Sequence, residues 1–160
     1  MIDQPDITES LEKLQTRLGV RFEDLEHLLV AITHRSYLNE HREATQDHNE
    51  RYEFLGDAVL ELVVTDFLFS KYPEKPEGEL TAVRAALVNT VSIAHASTSL
   101  GINEFLLLSK GEERDTGRAR QYILANAFEA LIGALYLDQG YEAAKEFIAR
   151  ELFDKTERIV

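Results

Sequence analysis

The chain has 160 residues, enough for one domain of ordinary size and too few for two. Hydrophobic residues make up 44% of it, which supplies a sizeable core, and there is no cysteine, which excludes a disulfide scaffold, a cysteine zinc site, an iron–sulfur cluster and a thiol nucleophile. The formal net charge of −12 argues against a general nucleic-acid binder, but not against an enzyme that gathers carboxylates around metal ions, because bound cations reverse the local sign.

The N-terminal MIDQPDITES is polar and acidic, unlike a signal peptide, and the lack of cysteine fits a reducing cytosol, so the expected location is the cytoplasm. Ile7, Leu11, Leu14 and Leu18 recur at helical spacing, with Gly19 as the stop. Asp24, Leu25, Leu28, Leu29 and Ile32 predict a second, short helix, and the polar residues 33–48 read mostly as a loop or helix end. The strongest pattern runs over 49–71, where Tyr52, Leu55, Val59, Leu62, Val63 and Phe67 share one broad face and Tyr72-Pro73 ends it. Lys75-Pro76-Glu77-Gly78 reads as a turn, 79–89 and 91–100 as helices, and 110–117 as a charged loop. A second strongly apolar helix is predicted over 119–137, and a last amphipathic one over about 141–154. The longest apolar run, near 58–69, is broken by Glu61 and Asp66 and is too short to span a bilayer. No segment alternates with the period of a strand, so the fold class expected is all-α, one domain over 1–160.

Two stretches carry chemistry. At about 100° per residue, Glu50, Glu53 and Asp57 fall within about 60° of arc on one helix. A solvated face would interleave Lys or Arg at i+4, yet the i+4 partners of Glu50 and Glu53 are Phe54 and Asp57. The stripe is either an acidic surface or a site for a hard divalent cation, which prefers carboxylate oxygens. Asn126 and Glu129, three apart among Ala125, Ala127, Phe128 and Ala130, form either a buried ligand pair or a helix-packing hydrogen bond. The five histidines show no ligand spacing; His34 and His41 are expected to be structural around the Ser36-Tyr37 turn, and Ser36 a cap or turn residue.

The stretch HNERYEFLGDAVLEL over 48–62 resembles the signature of the ribonuclease III family. The resemblance continues through AITHRSYLNEH at 31–41, EGELTAVRAALVN at 77–89, the loop 111–118, and ILANAFEALIGALYLDQG at 123–140. It covers roughly residues 7–153 in the family's order. It implies an all-α endonuclease domain that works as a homodimer on double-stranded RNA, uses Mg²⁺ or Mn²⁺, and leaves 5′-phosphates with short 3′ overhangs, in rRNA or mRNA processing. Carried over by position, Glu53, Asp57, Asn126 and Glu129 match metal ligands. Glu50, Asp57, Glu77 and Glu129 match acids of the cleavage site, Glu112 another acid near it, and Phe54 an aromatic that enters the partner subunit. Lys110, Arg114, Arg118 and Arg120 form the best cationic cluster for RNA, with a solvated charged loop as the other reading.

Asn126 departs from the family, which usually has Asp there. An amide oxygen can still ligate Mg²⁺ but brings no charge, so a non-cleaving or weakened RNA-binding member is the alternative. Many members also carry a C-terminal double-stranded-RNA-binding domain, and none is expected within these 160 residues. An unrelated carboxylate-bundle metalloprotein would need Glu-x-x-His pairs, which this chain lacks.

Overall fold

The computed structural model describes residues 5–160. Among these the expected all-α class holds: α1 (Pro5–Leu18), α2 (Leu25–Ala31), α3 (Arg35–Glu40), α4 (Glu50–Lys71), α5 (Glu77–Val88), α6 (Thr90–Ser99), α7 (Lys110–Arg114), α8 (Arg118–Gln139), α9 (Tyr141–Leu152) and α10 (Thr156–Ile159). The only β-type pairing among them is one isolated parallel bridge between Thr33 and Leu107. None of the described helices is long and apolar enough to cross a membrane.

The fold is organised around α8. Its residues 123–125, 127–128 and 130–135 are all buried, so it is apolar on nearly every side, as a central helix must be. α4 packs along it most extensively, with α6, α2 and α9 filling the remaining sides. Glycine decides how closely α4 and α8 approach. A Cβ at Gly56 would lie 1.7 Å from the Glu129 carbonyl oxygen, and one at Gly133 would lie 2.3 Å from the Tyr52 carbonyl oxygen. The two backbones therefore touch where both candidate stretches lie. α1 buries Leu11, Leu14 and Leu18 and ends at Gly19, whose φ of 71° is a left-handed conformation that side chains resist.

Three boundaries differ from the sequence expectation. Residues 33–48 contain α3, and the charged loop 110–117 contains α7; neither short helix buries a residue, so neither leaves an apolar period to read. Caps hold them instead: His34 Nδ1 accepts from Ser36 N at 3.2 Å, and Ser109 Oγ accepts from Glu112 N at 3.1 Å. α5 begins at Glu77, inside the predicted turn, because Pro76 supplies an extended residue just before it.

Candidate active site

The α4–α8 contact brings the two candidate stretches together. The Glu129 carboxyl is pushed up to about 9 by burial first, then by a hydrogen bond to the Asp57 side chain, the charge of Asp57, and the charges of Glu53 and Glu61. Near neutral pH Glu129 therefore keeps its proton and hydrogen-bonds to the Asp57 side chain. Burial first, and then the charges of Glu50 and Asp57, raise the Glu53 carboxyl as well. Asn126 stands one turn before Glu129 on α8 and is half-buried. Of the four residues matched to metal ligands, Asp57 and Glu129 thus meet, Glu53 is near enough for its charge to act on Glu129, and Asn126 is one helical turn from Glu129.

Glu50 lies at the edge of this group. Its carboxylate pairs with Arg35 at 3.1 Å, and its backbone N–H donates to His48 Nδ1 at 3.4 Å. Sequence reasoning passed over Glu61, one turn beyond Asp57, which adds to the field on Glu129 and is bridged to Arg84 of α5 at 3.5 Å. The period-four run Glu53, Asp57, Glu61 was the available signal. Glu112 on α7 does not join the group but, like Glu50, lies near enough to His34 for its charge to act on that ring. Burial lowers the His34 pKa, while the nearby charges of Glu112 and Glu50 pull the other way. His34 Nδ1 also lies 2.7 Å from Ser36 Oγ, and His41 Nδ1 lies 3.0 Å from the Tyr37 carbonyl oxygen, the structural roles expected of both.

Glu77 does not join the group within one chain. It lines a groove of about 370 Å³ with Thr65, Leu68, Phe69, Leu80 and Arg84. Leu68 is fifteen residues beyond Glu53 on α4, about 22 Å along the axis. Phe54 is 82% exposed and projects away from the core. Of the cationic residues, Lys110, Arg114 and Arg118 are exposed, whereas Arg120 is buried. Its guanidinium donates to Asn103 Oδ1 at 2.7 Å and to the Glu112 and Glu113 carbonyl oxygens at 2.7 and 3.1 Å. This corrects the expectation of a phosphate contact from Arg120, because those donors already have partners inside the protein.

Residues 24–156 match the family model described as Ribonuclease-III-like. The chain is 49% identical over 144 residues to Ribonuclease 3 of a Geobacillus species, covering 90% of this chain and 58% of that protein. It is 50% identical over 147 residues to Ribonuclease 3 of Bacillus licheniformis, covering 92% and 59%. It therefore spans a little under three fifths of the length of these two relatives. The nuclease domain of a ribonuclease III from Campylobacter jejuni, described as flexible in a region involved in dimer formation, superposes with a TM-score of 0.78 at 42% identity, covering 88% of this chain and 97% of that one. A Dicer from Pichia stipitis superposes with a TM-score of 0.63 at 27% identity, covering 85% of this chain and 57% of that one. With residues 24–156 matching the family model and about half of the positions identical to the two Ribonuclease 3 relatives over nine tenths of its length, the chain belongs to the ribonuclease III family.

Proposed function

We propose that this chain is the catalytic domain of a divalent-metal-dependent endoribonuclease that cuts double-stranded RNA, leaving 5′-phosphates and short 3′ overhangs during rRNA or mRNA processing. The observation that carries the reading is the glycine-made crossing of α4 and α8, which sets the Asp57 side chain against Glu129 beside Glu53 and pushes Glu129 toward its protonated form. A proton in that position is one that a cation can replace.

The residues fit Mg²⁺ in particular. Every side-chain donor at the site is oxygen. Among the described residues no three His, Asp or Glu side chains stand close enough to cage an ion. Mg²⁺ does not need such a cage, since it is held by one or two carboxylates, water and substrate phosphate. Asp57 and Glu129 would supply the carboxylates, Asn126 an amide oxygen, and Glu53 the neighbouring charge. A bound Mg²⁺ supplies Lewis acidity toward the phosphoryl group and lowers the pKa of water. The chain's own acids would hold and orient the ion, with Glu129 in its ionised form, its proton released to solvent. Lys110, Arg114 and Arg118 would meet backbone phosphates, so recognition would follow duplex shape more than base sequence.

The working form would be a homodimer. Phe54, Ala58, Leu62 and Phe69 make an exposed stripe along α4, directly beside the acids. Leu62 stands midway between Phe54 and Phe69, so two antiparallel α4 helices crossing there would seat each Phe54 in the groove beside Phe69 of the partner subunit. That packing would carry Glu77 of the partner subunit toward Glu50, which a single chain cannot do.

The test is cleavage of a long RNA duplex, with and without Mg²⁺, beside Glu129→Gln. Duplex-specific, Mg²⁺-dependent cleavage that falls by orders of magnitude in Glu129→Gln is expected. Equal cleavage by both proteins would sink the reading. The alternative, a member that grips duplex RNA without cutting it, rests on the missing charge at Asn126.

A further inference from the structure

Helix α7 carries two of the exposed cations, Lys110 and Arg114, yet has no buried residue to hold it in place. Its N-terminal end is tied by hydrogen bonds to α3: Ser109 N donates to Ser36 Oγ at 2.9 Å, and Lys110 N donates to Glu40 Oε1 at 3.1 Å. Its C-terminal end is tied by one group alone among the described hydrogen bonds, the Arg120 guanidinium, which takes the Glu112 and Glu113 carbonyl oxygens on Nη2 and Asn103 on Nη1. Arg120 stands on α8, only six and nine residues before Asn126 and Glu129. Beyond the short backbone link 115–117, a single buried side chain therefore ties the C-terminal end of the cation-bearing helix to α8, the helix that bears Glu129.

We infer that Arg120 is a positioning residue: it sets the place of Lys110 and Arg114 relative to the Asp57–Glu129 pair, and touches no RNA itself. The chemistry favours arginine alone. Three acceptors on two separate segments need the planar fork of a guanidinium, which an ammonium on a flexible stem cannot reproduce. The arrangement also explains why an arginine is buried in a chain with few cations to spare. The inference rests on the duplex-RNA reading proposed above.

The decisive experiment is a double-mutant cycle on the full chain between Arg120→Lys and the pair Lys110→Ala with Arg114→Ala. Steady-state cleavage of one duplex gives kcat and KM, and hydrogen exchange follows the amides of 110–114. Alone, Arg120→Lys is expected to raise KM about tenfold, within the roughly hundredfold that a misplacement near 1 Å can cost, with kcat and the Mg²⁺ half-saturation unchanged. It is also expected to speed exchange in α7. With Lys110 and Arg114 already replaced, it should change KM less than about twofold, because nothing is left to position. Effects that add would mean that Arg120 meets RNA directly and would overturn the inference, as would unchanged exchange in α7. If Arg120→Lys fails to fold, Asn103→Ala, at an exposed position, loosens the same guanidinium and is read in the same way. An unmodified protein that neither binds nor cuts duplex RNA would overturn the functional reading and the role of α7 in it, while the exchange data would still decide whether Arg120 holds that helix.

Discussion

At the scale of single residues, the site is governed by crowded like charges. Glu129 shows the consequence for stability. Its carboxyl is raised from 4.5 to about 9, so the folded state favours the protonated form. That stabilisation is complete below about pH 4.5 and is lost as pH rises toward about 9, where the unfolded chain ionises freely and the folded one resists. Thermal melts in the presence of a chelator should therefore show a midpoint that declines over this window. Glu129→Gln should flatten the decline, and a decline of equal size in the variant would show that the pH dependence arises elsewhere. Asn126 tests the same crowding from the other side. Restoring a carboxylate with Asn126→Asp should lower the Mg²⁺ concentration for half-maximal cleavage about tenfold, equivalent to about 1.4 kcal/mol. Superimposable titrations would remove Asn126 from the ligand set. Cleavage by the Asp form alone, with the Asn form at background at every Mg²⁺ concentration, would instead favour the reading of a chain that binds without cutting.

At the scale of elements, the site depends on how closely two helices approach. In an exposed helix, Gly→Ala stabilises by about 1 kcal/mol, since alanine loses less backbone freedom on folding. At Gly56 the sign reverses, because the new methyl would fall 1.7 Å from the Glu129 carbonyl oxygen, which belongs to a rigid backbone. Gly56→Ala is expected to destabilise the protein by about 3 kcal/mol or more, measured by urea denaturation, and to weaken metal binding by prising Asp57 from Glu129. A neutral substitution would mean that α4 and α8 sit farther apart. The far end of α8 is secured differently. Asp138 accepts hydrogen bonds from Glu23 N and Asp24 N, both at 2.9 Å, and so ties α8 to the start of α2. Loss of these charge-assisted bonds in Asp138→Ala should cost about 1–3 kcal/mol, again read from denaturation, and an unchanged midpoint would mean that water replaces them without loss.

At the scale of the whole molecule, the exposed stripe on α4 is what one chain leaves unfinished. Phe54 at 82% exposure and Phe69 at 72% are large apolar groups on a helix whose opposite face is fully packed. In the proposed homodimer each Phe54 ring would be buried in the groove at Phe69 of the partner subunit. Phe54→Ala should then cost about 3–5 kcal/mol per fully buried ring. Analytical ultracentrifugation should find the unmodified chain dimeric at micromolar concentration and the variant shifted toward monomer, with its helical content kept. A monomeric unmodified protein would leave Glu77 without a route to the acids and would count against its catalytic role.

The long helices, the all-α class and the two chemical stretches were legible from the sequence, because each leaves a local mark. A helix packed on one side writes its buried face into the spacing of apolar residues, as Leu11, Leu14 and Leu18 do. An acidic stripe without interleaved cations declares itself through i+4 partners that are not lysine or arginine. The short helices α3 and α7 left no such mark, since caps and hydrogen bonds from distant residues hold them. The meeting of Asp57 with Glu129, 72 positions apart, was written in no local spacing and required the α4–α8 packing that Gly56 and Gly133 permit. Arg120 gives the plainest case. Beside Arg118, at the edge of a charged loop, it reads as one more exposed cation, and only the tertiary structure turns it inward onto two carbonyl oxygens and an amide. The physical reason is that burial of a charged group is decided by which acceptors surround it, and these acceptors come from segments up to 17 residues away.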